Sequence, residues 1–100
     1  MNEKSFTPIA LETLTPYAKK YIWWQTPDEA LARPARVIAQ VMNLGDFEDM
    51  QAIAIELGDD ALRAVLAQAE AGQFSGRSWA YWHSRLGIAN VPPLPERRFS

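Results

Sequence analysis

Apolar residues recur through the middle and second half of the chain at steps of three and four residues. Such steps place side chains on one face of an α-helix, because the helix turns once every 3.6 residues. Four apolar stripes have this spacing: Val37, Ile38, Val41, Met42 and Leu44; Phe47, Met50, Ile53 and Leu57; Leu62, Val65, Leu66 and Ala69; and Trp79, Trp82 and Leu86. We expect each stripe to be the buried face of one helix, with the first of these helices at the centre of the fold.

Three Thr-Pro pairs in the first third of the chain predict helix starts. Thr can cap the free amides of a first turn, and Pro fits the next position because it lacks an N–H group that would need a partner. The third pair carries the clearest signal, since Glu29 stands three residues after Thr26 and completes a capping box. The pairs Thr7-Pro8, Thr15-Pro16 and Thr26-Pro27 predict helices near 8–14, 16–24 and 27–32.

Proline, glycine and short polar residues mark the later helix boundaries. Glycine accepts the left-handed conformation that often ends a helix, and Asp or Ser can cap the helix that follows. In chain order the predicted boundaries are a start at Pro34, a stop at Gly45, a start at Asp46, a stop and start at Gly58 and Asp59, a stop at Gly72, and a last helix from Ser75 to Leu86 before Gly87.

These signals predict an all-α fold, a compact bundle of five or six short helices with few residues that favour strands. The 100 residues suffice for one core, so we assign residues 1–90 to a single helical domain. Residues 91–100 include Pro92, Pro93 and Pro95 and should form an extended, polyproline-like C-terminal tail. The short helices and tight turns of the second half are also compatible with a helix-turn-helix arrangement.

Charge and composition narrow the expected location and partners. Ten basic and 12 acidic residues give a formal net charge of -2, which lacks the general positive field of a strong nucleic-acid binder. The absence of cysteine excludes disulfides and thiolate metal sites and fits a reducing compartment. A polar start from Met1 to Lys4 and the lack of a long apolar run predict no signal peptide and no membrane span, so we expect a cytoplasmic protein.

Residues for enzymatic chemistry are few. The one histidine, His83, has no nucleophile or orienting acid near it in sequence, which favours a supporting or surface role over catalysis. The acidic groups fall in predicted first helical turns, where each stabilises the positive helix end by about 0.3–1 kcal/mol. These acidic residues are Asp46, Glu48, Asp49, Asp59 and Asp60. We therefore expect no catalytic residue, no metal site and no cofactor.

Aromatic residues are unusually frequent for so short a chain and favour a protein-binding module. A domain of this size can hardly bury all six rings of two aromatic groups, which are Tyr21, Trp23, Trp24, Trp79, Tyr81 and Trp82. Exposed Trp, Tyr and Arg side chains concentrate binding energy at interfaces. We assign Trp23, Trp79 and Trp82 to the core, whereas Trp24 and Tyr81 should be exposed anchors. The expected partner-binding residues are Trp24, Tyr81, Arg85, Arg97, Arg98 and Phe99. A homodimer through the tryptophan surface is compatible with the same pattern.

A DNA-binding transcriptional regulator is the alternative function. The helix predicted from Ser75 to Leu86 carries Arg77, Tyr81 and Arg85 at positions that the buried stripe does not use. These side chains could contact phosphates or base edges in a groove of DNA. They could equally form a solvated face, and the net charge of -2 argues against a strong DNA binder.

Four segments resemble a family of small, uncharacterised bacterial proteins whose genes often precede one for a nucleotidyltransferase-type toxin of the abortive-infection AbiE class. The segments are Tyr21 to Ala30, Val37 to Gly45, Arg77 to Gly87 and Pro92 to Phe99, and the resemblance covers about residues 17–99. Gene neighbourhood implies, by association alone, an antitoxin-like or accessory protein whose partner is the toxin. Antitoxins of that kind often join a helical DNA-binding domain to a toxin-facing segment, and this chain is shorter and more acidic than that pattern.

Overall fold

Six helices follow one another along the part of the chain that the structure describes. The structure is a computed structural model, and it describes the backbone of residues 11–95 and the side chains of residues 13–95. The helices are α1 (Leu11–Tyr21), α2 (Pro27–Leu31), α3 (Pro34–Leu44), α4 (Phe47–Leu57), α5 (Asp59–Ala67) and α6 (Gly76–Arg85). No strand occurs between residues 11 and 95, so the predicted all-α bundle of five or six helices is confirmed.

Three of the predicted helix starts have the capping bonds that their sequences imply. The hydroxyl of Thr26 accepts a bond of 3.2 Å from the Glu29 amide, and the Glu29 carboxylate accepts one of 3.0 Å from the Thr26 amide. The Asp46 carboxylate accepts from the Asp49 amide at 2.8 Å, and the Ser75 hydroxyl accepts from the amide three residues later at 3.1 Å. Each cap satisfies an amide that a helix start leaves unpaired.

The helix start predicted at Thr15-Pro16 is wrong, because α1 continues through Pro16. A proline inside a helix removes one backbone bond and costs about 3 kcal/mol. Pro16 lies on the exposed side of α1, while Leu14 and Ala18 on the other side are almost completely buried in the core. Burial of that apolar face outweighs the local penalty of the proline. This burial depends on the tertiary fold, so the Thr15-Pro16 dipeptide alone cannot predict it.

The glycine boundaries are confirmed in part. Gly58 has a φ of 85° and is itself the N-cap of α5, so Asp59 is the first residue of the helix and does not cap it. Gly45 ends α3 with a φ of -63°, so the left-handed conformation expected there is wrong. Helix α5 ends at Ala67, five residues before Gly72, and a turn begins at residue 68. The predicted stop at Gly72 is therefore wrong.

Helix α3 forms the centre of the bundle, as the sequence predicts. It contacts every one of the other five helices. Five of its residues are buried, among them Val37, Ile38, Val41 and Met42, which are 0% exposed. Burial of each such side chain contributes about 1.5–3 kcal/mol, so this helix supplies much of the apolar stabilisation of the fold.

Helix α6 docks on the C-terminal end of α3 through polar bonds. The last four carbonyls of a helix have no partner within that helix. The indole Nε1 of Trp82 donates to the Met42 carbonyl at 2.8 Å, and the Ser78 hydroxyl donates to the Asn43 carbonyl at 3.2 Å. The Asn43 side-chain oxygen accepts from the Ser75 amide at 3.0 Å. These bonds fix α6 beside the turn that leads from α3 into α4.

Residues 91–95 contain no helix and lie partly against the helical domain. The indole Nε1 of Trp79 donates to the carbonyl oxygen of Pro92 at 2.9 Å, and Leu94 packs against the core. This half of the predicted tail is therefore held by its own domain. In the described part of the chain, every helix is too short or too polar to cross a lipid bilayer.

Candidate functional site

The exposures of five aromatic residues test the predicted division between core and surface. Trp79 and Trp82 are buried at 5% and 0% exposure, whereas Trp24 and Tyr81 are 51% and 41% exposed, as predicted. The core assignment of Trp23 is wrong, because that side chain is 75% exposed. Helix α1 ends at residue 21, so Trp23 stands in the following turn and no longer continues the buried face of the helix.

His83 is a core residue of α6. Its ring is 2% exposed and lies 4.3 Å from the Trp79 ring, measured between centroids. The Nδ1 atom lies 2.7 Å from the Trp79 carbonyl oxygen. Because a carbonyl can only accept, Nδ1 carries the proton and donates this bond. The imidazole is thus enclosed in the core, and its bond to the Trp79 carbonyl stabilises its own helix.

The acidic residues of α4 take part in an ion-pair network with α1. The Asp49 carboxylate accepts bonds from Lys20 Nζ at 2.8 Å and from the Tyr21 hydroxyl at 2.6 Å. These two bonds hold the pKa of Asp49 below its usual range. Across the same interface the Tyr17 hydroxyl donates to Glu56 at 3.1 Å, and burial together with that bond raises the pKa of Tyr17 to about 12.

This network gives the Asp49 and Glu56 carboxylates local partners. Among the described residues, no three His, Cys, Asp or Glu side chains are grouped so that they could hold a metal ion. The acidic clusters at 46–49 and 59–60 do lie at the first turns of α4 and α5, as predicted. They stabilise the positive ends of those helices.

An apolar groove lies between α4 and α6. Its volume is about 330 Å³. The residues that line it are Gly45, Phe47, Met50, Arg77, Ser78 and Tyr81. Phe47 is 69% exposed, so its predicted place in the buried stripe of α4 is wrong. As the first residue of α4 it precedes the part of the helix that packs on the core at Ile53, and its ring reaches the groove instead.

Two rows of side chains border the groove, one on each helix. Phe47, Gln51 and Ile55 recur every four residues on α4, and Arg77, Tyr81 and Arg85 do so on α6. Four-residue steps keep side chains on one strip of a helix surface and advance it by about 6 Å each. Ile55 is 80% exposed, so α4 also carries an exposed apolar side chain beyond the groove itself.

Arg85 joins the two rows. Its guanidinium donates to the Gln51 side-chain oxygen at 2.6 Å and to the Tyr81 hydroxyl at 3.0 Å, and it lies 5.1 Å from the centre of the Trp82 ring. These contacts hold the Tyr81 ring and the arginine in fixed positions at the edge of the groove. Among the described residues, Arg77 has no carboxylate within ion-pair distance, so its charge faces solvent at the other end of the row.

The structure brings together part of the predicted partner-binding set. Tyr81 lines the groove together with Arg77, the third member of the alternative DNA-binding set, and Arg85 lies beside it through its bond to the Tyr81 hydroxyl. Trp24 is exposed as predicted but lines a different cavity. The remaining predicted contacts, Arg97, Arg98 and Phe99, lie outside the described residues.

Sequence reasoning missed the α4 side of the groove, formed by Phe47 and Met50, and the nearby Gln51 that bonds Arg85. A signal was available for Phe47. It follows the cap residue directly, and a residue at a helix start has fewer neighbours to cover it than one in mid-helix. No comparable signal existed for Gln51, because its partner Arg85 is 34 positions away in sequence.

The resemblance to proteins encoded beside AbiE-type toxins rests on four sequence segments and stays a prediction. No protein-family model, no curated protein and no solved structure matches this chain.

Proposed function

We propose that this protein is a non-catalytic protein-binding module and that the groove between α4 and α6 is its contact surface. The observation that supports this most strongly is the exposed Phe47 ring, which lines an apolar groove together with Met50 and Tyr81. Exposed aromatic rings clustered in an apolar depression are typical of interface anchors.

The groove suits an amphipathic helix of the partner. Rows of side chains on two adjacent helices form a channel into which the apolar face of a third helix can pack. The row from Arg77 to Arg85 spans eight residues, which corresponds to about 12 Å or two helical turns. A partner helix would need two or three apolar residues at three- and four-residue steps to cover that length.

Charge complementarity specifies the flank of the partner helix. Arg77 and Arg85 stand on the α6 side of the groove, and neither has a carboxylate partner among the described residues. An apolar stripe flanked by Asp or Glu on the side next to α6 would therefore match both the shape and the charge of the site. The proposed occupant is an amphipathic helix with an acidic flank.

The resemblance suggests a source for this helix. The nucleotidyltransferase-type toxin encoded beside such proteins is the proposed partner, and this chain would then serve an antitoxin-like or accessory role. The two proposals are separable, because the groove can bind an acidic amphipathic helix whichever protein carries it.

DNA binding through Arg77, Tyr81 and Arg85 is the competing function. The alignment of these three residues on one exposed strip of α6 favours it. Two observations weigh against it: Arg85 already bonds Gln51 and Tyr81, and the chain carries a net charge of -2. A DNA complex built on phosphate contacts would weaken steeply with added salt.

Co-purification tests the proposal. The full chain is co-expressed with the product of the adjacent open reading frame, as wild type, as the double variant Phe47→Ala/Tyr81→Ala, and as the control Trp23→Ala. All three truncated rings are exposed, so each variant should remain folded. We expect the wild type and the control to bind equally and the double variant to lose at least tenfold in affinity, since interface anchors cost about 2 kcal/mol or more when truncated.

Two outcomes would overturn the proposal. Retention of affinity within twofold by the double variant would show that the groove is not the contact surface. Binding of the chain to its own upstream DNA, lost in Arg77→Gln/Arg85→Gln and absent for the protein partner, would replace it with the DNA-binding function.

A further inference from the structure

A second cavity lies on a different side of the domain, between the turn after α1, helix α3 and the segment that joins α5 to α6. Its volume is about 300 Å³, which is the size of a site for a small metabolite. The residues that line it include Trp24, Arg33, Arg36, Glu70 and Gln73. It shares no residue with the groove between α4 and α6.

The charges of this cavity are not balanced. Arg33 and Arg36 both line it, and Glu70 is the one acidic residue among its lining residues. The Glu70 carboxylate pairs with Arg33 at 3.2 Å. Among the described residues, no carboxylate lies within ion-pair distance of Arg36, although this side chain is only partly exposed. The cavity therefore holds one positive charge more than its own groups neutralise.

The position of these arginines adds to the excess. Arg33 is the N-cap residue of α3 and Arg36 lies in its first turn, where the backbone already presents partial positive charge. That turn contains no acidic residue, and no side chain caps it. Like charges three residues apart on a helix also repel each other. An anion placed beside Arg36 would offset the positive charge of the helix end and the repulsion between the two arginines.

The remaining walls have a flat apolar surface and a free donor. The Trp24 indole is 51% exposed and lines the cavity together with the buried side chains of Ile22 and Ala39. The Gln73 side-chain oxygen accepts from the Glu70 amide at 2.9 Å. This bond orients the Gln73 amide so that its NH₂ group is available to donate.

We infer that this cavity binds a small organic anion that carries a planar ring. Its carboxylate or phosphate pairs with Arg36 and accepts from Gln73, and its ring packs along Trp24. A guanidinium recognises carboxylate and phosphate alike through paired N–H groups, so both classes fit. The ring contact selects planar molecules over simple inorganic anions.

Nuclear magnetic resonance titration of the ¹⁵N-labelled full chain tests this inference. The probes are indole-3-acetate and adenosine monophosphate, with the uncharged indole-3-acetamide and adenosine as matched controls. We expect saturable shifts of the Trp24 indole N–H and the Gln73 side-chain amide with the charged probes, and at least tenfold weaker binding of the neutral ones. Tighter binding of one charged probe shows which of the two combinations of ring and anion suits the cavity better.

Two variants assign the effect to Arg36. Arg36→Gln removes the charge without breaking an ion pair, so the variant should keep the wild-type spectrum outside the cavity. It should bind the charged probes at least tenfold more weakly, whereas Arg77→Gln, at a residue that does not line this cavity, should bind them as the wild type does. Equal binding by wild type and Arg36→Gln, or the absence of a saturable shift at Trp24 with either charged probe, would overturn the inference.

Discussion

The indole Nε1 of Trp82 donates a hydrogen bond of 2.8 Å to the carbonyl oxygen of Met42, and both side chains are 0% exposed. The bond joins the middle of α6 to the C-terminal end of the central helix. Because the Met42 carbonyl belongs to the last turn of α3, it needs a partner from outside that helix. This pairing fixes the rotation of α6 and with it the side of that helix that borders the groove.

The variant Trp82→Phe tests the importance of this bond. Phenylalanine keeps an aromatic ring in the core but leaves the Met42 carbonyl without its donor and opens space beside it. We expect the free energy of unfolding to fall by about 2–4 kcal/mol, from the unpaired carbonyl and the lost packing together. Urea denaturation measures this change. Trp23→Phe is the matched control and should change stability by less than about 0.5 kcal/mol, because that ring is exposed.

Two glycine substitutions should have opposite effects. Gly58 adopts a φ of 85° and a ψ of 162°, a region that side-chain-bearing residues occupy at a cost of about 1–3 kcal/mol. Gly58→Ala should therefore destabilise the protein by about that amount. Gly76 begins α6, and an added Cβ there meets no atom within 4 Å. Gly76→Ala should stabilise by up to about 1 kcal/mol, and equal effects of the two substitutions would contradict the assigned conformations.

The Asp49 network should make stability depend on acid pH. Its bonds to Lys20 and Tyr21 lower the pKa of Asp49 from the ordinary 3.8. At a given acid pH, Asp49 is therefore protonated less often in the folded state than in the unfolded state. The resulting stabilisation is fully present above the unfolded pKa and is lost as pH falls through the folded one. We expect Asp49→Asn to be less stable than wild type at pH 7, with the difference shrinking as the pH falls below 3.8.

Glu48→Gln is the control for this effect. Glu48 and Asp49 share the first turn of α4, so both variants lose the interaction with the positive helix end. Only Asp49 also contacts Lys20 and Tyr21. Denaturation curves at a series of pH values should show the larger and more pH-dependent loss for Asp49→Asn. The same profile for both variants would show that the network adds nothing beyond the helix end.

The alkaline limb of the stability curve should depend on Tyr17. Burial and the bond to Glu56 raise its pKa from 10.0 to about 12, so folding favours the protonated phenol. The stabilisation that comes from this raised pKa is fully present below the unfolded pKa and is lost as the pH rises from 10.0 through about 12. We expect the stability of wild type to fall more steeply over that interval than that of Tyr17→Phe, as followed by circular dichroism. Parallel curves would contradict the assignment.

Local signals in the sequence sufficed for most of the helix boundaries. Thr26, Asp46 and Ser75 cap helices through bonds to residues three positions later, and such short-range contacts are encoded in neighbouring residues. The errors concern properties that the whole fold decides. Pro16 stays helical because the face of α1 on its other side is buried, and Trp23 is exposed because α1 ends before reaching it.

The site could be predicted only on one of its two sides. Tyr81 and Arg85 stand four residues apart on a helix with a clear apolar stripe, so their exposure follows from periodicity. Their placement beside Phe47 and Gln51 depends on how α6 docks on the end of α3, through contacts that join residues more than 30 positions apart. No periodicity within a single helix contains that information.

Hydrogen–deuterium exchange of the full chain, free and in complex with the co-purified partner, tests the proposed contact surface most directly. We expect slower exchange in the complex at the amides of residues 47–55 and 76–85, where α4 and α6 border the groove, and little change at residues 22–40. Slower exchange confined to residues 22–40, with α4 and α6 unaffected, would contradict the assignment of the groove as the binding surface.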